Sequence, residues 1–479
     1  MKFRPLIALL VIALVTLNNS WAQEIKVMSY NIRLDLPSDG PNWWENRKSR
    51  VTSLLNYYEA DFVGCQEVLH RQLVYLDSNL NGYTHIGAGR DDGKEAGEYS
   101  PIFYKKDRYE LLKSSTFWLS STPDQPSKGW DAALNRVCTY GLFRHKQSQQ
   151  EIWVFNTHFD HVGKEARLAS AQLILEKIKE LNVTNAPVIL CGDLNARPEE
   201  APVQLLSAAL WNARDKSQLV YGDASTWNAF QFNKKPEGCI DYIFTTPFPY
   251  LTVKKFATLT DSYDQKYPSD HFPVLATFQF SQPFIGEINN FRKQDNAKKP
   301  GQGKILFIGS SSFTNWRDVQ NYFPNSTIIN RGFGGSTLFD LNFYFKDIVP
   351  LYSPRQIIIY CGENDLASSD SITAQIVVAR YKELHQRIRS LYPTIPLVYV
   401  SIKPSPSRWH LRAKAKQANE LIKEFLESQP HNFFVNVWDL MLNPEGLPNE
   451  KIFGPDRLHM NAEGYKIWKA ALEPLLLKD

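Results

Sequence analysis

Cysteine is scarce in this chain, five in 479 residues, and that excludes a fold stapled by disulfides. Cys65, Cys191 and Cys361 each end an apolar run, where a thiol serves as a small buried hydrophobe. A strong charge of either sign is also missing. The net value is +4 at pH 7, too small to argue for a nucleic-acid partner on electrostatic grounds. No apolar run reaches the roughly 20 residues of a membrane-spanning helix. The run Leu6 to Leu17 follows Lys2 and Arg4 and precedes Ser20-Trp21-Ala22. A basic start, a short apolar stretch and small residues at Ser20 and Ala22 have the form of a secretory leader cut before Gln23. Residues 1–22 therefore read as a signal peptide, and the mature chain as exported, periplasmic or extracellular, with no transmembrane segment. No cysteine follows the cut, which argues against a bacterial lipid anchor.

What is present is enough length for two to three domains and an ordinary globular composition, 43% hydrophobic and 22% charged. Pro187 to Leu190 is a short apolar run that stops at Cys191-Gly192-Asp193-Leu194-Asn195, the pattern of a buried strand ending at a sheet rim. Two residues apart on an extended chain, Asp193 and Asn195 share one side. There a carboxylate and an amide can hold a hard cation, or water and phosphate beside it. Gly, Asp and Asn also build turns, so this stretch alone leaves a capped turn equally open. The same grammar recurs at Ser29-Tyr30-Asn31, Gln66-Glu67, Asn156-Thr157-His158, Ile240-Asp241-Tyr242 and Ser269-Asp270-His271. Six polar endings after apolar strands exceed chance, and ligands gather where strands stop.

On those six motifs, in that order, residues 24–280 resemble the endonuclease/exonuclease/phosphatase superfamily. The resemblance implies an α/β four-layer sandwich, two packed sheets flanked by helices, with one metal-dependent phosphoesterase site. It implies Glu67 as the main metal ligand with Asn31 and Asp270 close by, and Asp193 as the group that orients or deprotonates the attacking water. Asn195 is implied as a phosphate or metal contact, His271 and His158 as phosphoryl-binding histidines, and Asp241 as the carboxylate that orients His158 or His271. Mg²⁺ or Mn²⁺ suits such oxygen donors. The Trp-Cys-Asp-Arg signature of the inositol-phosphatase branch is lacking; Gly238-Cys239-Ile240-Asp241 stands there.

Residues 281–303 read as a linker with a leading helix near Ile285 to Asp295, followed by the breaker-rich stretch Asn296 to Gly303. Beyond it, apolar strands at Ile305, Ile328, Ile357, Leu397 and Phe433 alternate with helical stretches, which argues for a parallel sheet covered on both faces. No Gly-x-Ser-x-Gly elbow occurs. Asp456 precedes His459 by three residues, spacing that lets a carboxylate hold an imidazole within one turn, two-thirds of a hydrolase triad. With Gly309-Ser310-Ser311, Gly335 and Gly362-Glu363-Asn364-Asp365 upstream, residues 304–479 resemble the SGNH/GDSL hydrolases, a three-layer α/β/α fold. That resemblance implies Ser311 as nucleophile, His459 and Asp456 as its partners, and Gly335 and Asn364 as oxyanion donors, with no cofactor. Ser310 and Ser336 stand where the family commonly has aspartate. The loop Ser401 to Trp409, at a strand end, reads either as a wall of the pocket or as a rigid proline loop.

The expected protein is an exported bifunctional hydrolase, a phosphoesterase followed by an acyl esterase, acting on a small-molecule, lipid or glycan ester. A secreted nuclease with an accessory esterase, and an inactive binding protein, are the alternatives.

Overall fold

The structure, a computed structural model, describes residues 21–183 and 185–479. Of the expected leader, residues 1–22, residues 1–20 lie outside the described residues, and Trp21 and Ala22 begin a strand. The chain divides into two compact units, Ala22–Gln282 and Pro283–Asp479.

Thirteen strands build the first unit. They are β1 (Trp21–Asn31), β2 (Phe62–Gln66), β3 (Tyr83–Ile86), β4 (Ile102–Lys105), β5 (Tyr109–Trp118), β6 (Val137–His145) and β7 (Glu151–His158), then β8 (Val188–Asp193), β9 (Trp211–Asn212), β10 (Leu219–Tyr221), β11 (Asp241–Thr245), β12 (Leu251–Thr258) and β13 (Val274–Gln282). One sheet runs β10-β12-β13-β1-β2-β4-β3 and the other β5-β6-β7-β8-β11-β9.

Side-chain alternation explains the layers. Met28, Tyr30, Val63 and Cys65 join a core with Val51 and Leu55 of helix Trp44–Tyr58. Trp153, Phe155 and Leu190 join another with Ala171 and Ile174 of helix Lys164–Leu181. The residues between them point at the opposite sheet, so Phe62 meets Phe143 with ring centroids 4.9 Å apart. At Gly64 a Cβ would stand 2.4 Å from Cys191 Sγ, so the close approach of the sheets requires glycine there.

The seam is polar where it nears the site. Asn156 Nδ2 donates to Cys65 O at 2.7 Å and Pro101 O at 2.8 Å, and its Oδ1 accepts from Gln66 Nε2 at 2.7 Å. Both ends of the Asn156 amide find partners, which is what burial demands.

Strand reading missed β3, β5, β9, β10 and β12. The middle of β5 is the polar run Lys113 to Thr116 on an edge, and in β12 a bulge between Val253 and Lys255 breaks the period of two.

In the second unit β14 (Ile305–Gly309), β15 (Ile328–Gly332), β16 (Gln356–Tyr360), β17 (Leu397–Val400) and β18 (Asn432–Val435) form one sheet, ordered β15-β14-β16-β17-β18. All four pairings are parallel. Leu306, Ile308, Ile357 and Ile359 face one core with helices Ala374–Leu391 and Arg412–Glu427. Ile305, Phe307, Ile358 and Tyr360 face another with Trp468 of helix Ala462–Leu472. Residues 285–297 form a helix that enters the first of these cores through Ile285 and Ile288. All five cysteines are free, four of them buried. No helix among the described residues is long and apolar enough to cross a membrane.

Truncating Asn156 removes three buried hydrogen bonds between the sheets, to Cys65 O, Pro101 O and the Gln66 amide. Asn156→Ala is expected to lower unfolding stability by about 2–4 kcal/mol, measured by urea denaturation of the wild type and the variant.

Candidate active sites

Register brings the polar endings of the first unit together. His158 on β7, Asp193 on β8 and Asp241 on β11 are direct cross-strand neighbours, and Asn31 on β1 pairs with Gln66 on β2. Alternation alone would turn Glu67 away from the seam, since Gln66 already points into it. Glu67 instead takes φ +61°, and Arg33 and Asn195 take +59° and +44°. Left-handed backbone is costly for such residues, and here it re-aims the side chains that follow the strands.

The two rows then meet. Asn31 Nδ2 donates to Asp193 Oδ2 at 2.9 Å and to Glu67 Oε1 at 3.1 Å, while Glu67 Oε2 accepts from Leu34 N at 3.0 Å. His271 Nδ1 donates to Asp241 Oδ2 at 2.9 Å, and its Nε2 lies 3.8 Å from Asp193 Oδ2. Of the two histidines left open for Asp241, His271 is the one it holds. His158 is held by an arginine: Arg136 donates to its Nδ1 at 3.0 Å and to Nδ1 of His161 at 3.0 Å. Arginine only donates, so His158 carries its proton on Nε2, 3.6 Å from Asp193 Oδ2. Asn195 Nδ2 donates to Phe159 O at 3.1 Å and lies 3.1 Å from His158 Nε2. Asp270 enters the group through Arg33, which stands 4.0 Å from Asp270 Oδ2 and 3.9 Å from Glu67 Oε2.

Charge separates the roles. Burial, then the Asp241 carboxylate, push Asp193 up to about 7, against the pull of His271. Burial works against a charged His271, but Asp241, Asp193 and Asp270 hold its imidazolium well above the ordinary histidine range. Burial and the neighbouring Arg136 and Arg90 keep His158 neutral, well below that range.

The donor set fits a divalent cation. Four carboxylates, Glu67, Asp193, Asp241 and Asp270, face three positive partners, His271, Arg33 and, at Asp270, Arg47. Asp241 Oδ1 is buried with no hydrogen-bond partner. Among the described residues, ligand atoms of Asp193, Asp241 and His271 lie within 4.8 Å of one another. A charged His271 has no lone pair to give, so the carboxylate oxygens are the ligands that suit a hard ion. Asn31 offers its amide nitrogen to the carboxylates, because its Oδ1 accepts from Arg33 N at 3.0 Å.

In the second unit Gly309 closes β14 at φ +155°, where a Cβ would stand 2.0 Å from Tyr360 O. The chain turns there and delivers Ser311. Its Oγ lies 2.9 Å from His459 Nε2, and His459 Nδ1 lies 2.6 Å from Asp456 Oδ2. Asp456 Oδ1 accepts from the backbone N–H groups of Leu458 and His459, each at 3.0 Å. Against a cost of desolvation, those N–H groups and the imidazole hold the Asp456 carboxyl down to about 2. Gly335 adopts φ +85°, which a side chain rarely tolerates. Asn364 Nδ2 donates to Ser336 O at 2.9 Å, tying the asparagine to the loop that carries Gly335.

Sequence reading gave no role to Arg33 and Arg136, nor to Lys403, Glu363 and Arg408 around Asn364. Arg136 reads from sequence as the first residue of a strand, with nothing local to say that it faces two imidazoles.

A family model described as Endonuclease/Exonuclease/phosphatase family matches residues 28–271. The chain belongs to the endonuclease/exonuclease/phosphatase family. A second model, GDSL-like Lipase/Acylhydrolase family, matches residues 302–467. Both models describe families of ester-cleaving enzymes. A solved endonuclease/exonuclease/phosphatase family protein from Bacteroides thetaiotaomicron is 38% identical, with TM-score 0.52, over 55% of this chain and all of that one. A mannosyl-6-phosphatase of the same organism is 39% identical, with TM-score 0.52, over 53% of this chain and 99% of that one. The Ccr4 exoribonuclease subunit of Debaryomyces hansenii is 24% identical over 50% of this chain. The chain spans only 36% of that subunit's length, and 59% of an uncharacterized mimivirus protein's.

Because Asp456 is ionised at every pH above about 4, an acid limb between pH 5 and 8 in ester hydrolysis belongs to another group. Asp456→Asn is expected to lower kcat on a small acyl ester by roughly 100-fold or more. The pH–rate profiles of both forms provide the check.

Proposed function

We propose that the protein is an exported hydrolase that removes both phosphoryl and acyl groups from a decorated glycan. The phosphoester half is read as using Mg²⁺ or Mn²⁺. The observation that carries the reading is one chain holding two complete sets of reacting groups, the Asp193–Asp241–His271–His158 cluster and the Ser311–His459–Asp456 relay. The sugar-phosphate assignment draws on the 39% identity to a mannosyl-6-phosphatase spanning 99% of that protein. Export draws on the leader pattern at residues 1–22.

In the first half, Asp193 accepts a proton from the attacking water, a task suited to a carboxyl raised to about 7. His271 donates from its charged imidazolium to the phosphoryl oxygen, and His158 donates from Nε2. Asn31 fixes Asp193 against Glu67. A bound divalent cation would be held by the carboxylates of Glu67 and Asp270, which Asn31 helps to orient, and would supply charge neutralisation of the phosphoryl group.

In the second half, His459 takes the Ser311 proton as Oγ attacks the ester carbonyl. The backbone N–H groups of Ser311 and Gly335 and the Asn364 amide stabilise the oxyanion. His459 returns the proton to the leaving alcohol, and water then releases the acid by the same relay in reverse. The small net charge disfavours a nuclease, and intact reacting groups in both halves disfavour a mere binder.

Glu67→Gln should abolish phosphatase turnover of mannose 6-phosphate and spare hydrolysis of p-nitrophenyl acetate; Ser311→Ala should do the reverse. Each loss is expected to be about 100-fold or more. Loss of both activities from one substitution in folded protein would refute two independent sites. Chelator-sensitive cleavage of DNA or RNA with no action on sugar phosphates would favour the nuclease.

A further inference from the structure

An asparagine amide is nearly symmetric in shape, and its two ends have opposite hydrogen-bonding character. An oxyanion donor therefore needs something that decides which end faces the pocket. At Asn364 the structure holds such a device. Arg408 NH1 donates to Asn364 Oδ1 at 2.8 Å. A guanidinium has no acceptor, so the amide oxygen must face Arg408 and the NH₂ must face Ser336 O. We propose that Arg408 is a positioning residue of the esterase half, acting through Asn364, and that the buried Glu363–Lys403 pair holds Arg408 in place. The proposal rests on the esterase reading of that half.

Three observations support it. Glu363 and Lys403 are 6% and 3% exposed and form a direct ion pair, with Tyr360 OH donating to Glu363 Oε2 at 2.8 Å. Burying two charges is costly without a use or full compensation, and here the second Glu363 oxygen, Oε1, lies 3.8 Å from Arg408 NH1. The group of Glu363, Lys403 and Arg408 thus carries one surplus positive charge directly behind the oxyanion amide. That charge favours a developing anion and polarises the Asn364 N–H bonds. Finally, the loop that carries Arg408 is anchored at both sides of the site. Ser407 N donates to Arg457 O at 3.0 Å, beside Asp456, and Trp409 stacks on Trp438 with ring centroids 5.9 Å apart. The Ser401 to Trp409 loop, ambiguous in sequence, is tied to the catalytic turn.

The test is a double-mutant cycle on p-nitrophenyl acetate with full-length protein. Arg408→Met should lower kcat by about 10- to 100-fold with little change in KM. Arg408→Lys, which restores a charge without the fork, should recover part of that loss. In an Asn364→Ala background, Arg408→Met should cost less than about threefold more, because its route is gone. An unchanged circular-dichroism spectrum and thermal melt of each variant report that the second unit is folded. Independent multiplication of the two losses, or a kcat within twofold of wild type for Arg408→Met, would overturn the proposal. A crystal structure of Arg408→Met supplies a readout that needs no turnover. A rotated or mobile Asn364 amide supports the assignment, and an unmoved Nδ2 on Ser336 O overturns it. Failure of the wild type on every acyl ester would refute the esterase reading itself, which that crystal structure does not depend on.

Discussion

The hydrogen bond from Asn31 Nδ2 to Asp193 Oδ2, 2.9 Å long, joins the two sheets of the first unit at the point where both stop. Everything reactive there depends on that junction. The sheets can approach because Gly64 has no side chain and because Asn156 satisfies three backbone and side-chain partners across the gap. With the gap set, strand register alone aligns His158, Asp193 and Asp241 in one row. The left-handed bend at Glu67 then returns a carboxylate that simple alternation would have lost to the outside. Fold and chemistry share one geometric condition, the spacing of two sheets.

The second unit solves a similar problem with a single sheet. β14 and β16 end side by side, and Gly309 lets the chain pass within 2.0 Å of where a Cβ would strike Tyr360 O. The nucleophile turn follows β14, and the asparagine turn follows β16 on Gly362, at φ +126°. The histidine and aspartate come from a separate turn near the chain's end, held by their own backbone hydrogen bonds. Parallel strands thus position Ser311 and Asn364, and a locally stable turn positions His459 and Asp456.

Much of this was legible in the sequence, for a physical reason. Apolar strands that end in Asn, Glu, His or Asp announce both the sheet and its functional rim, so the two fold classes and the stretches that converge could be read directly. What stayed hidden came from long cations. Arg136 sits before an ordinary strand, and nothing local says that it faces two imidazoles rather than water. Glu363 read only as the variable residue before Asn364, because its partner Lys403 lies forty residues on, in a proline-rich loop. Edge strands such as β5 were invisible for another reason: half their faces meet solvent, so no apolar run marks them.

Those hidden cations share a task that follows from burial. In the first unit, Asp193 and Asp241 are almost fully buried, and their charges would repel without His271 between them. In the second, Glu363 is buried within reach of Lys403 and Arg408. A low-dielectric site strengthens every interaction it contains, favourable or not. Buried acidic and amide groups therefore bring with them fixed positive partners. Arg136 decides the tautomer of His158 by being unable to accept, and Arg408 faces Asn364 with the same restriction. In both halves a residue with only donors specifies the orientation of a neighbour that has both donors and acceptors, which makes hydrogen-bond polarity, rather than contact alone, the basis of each site's order.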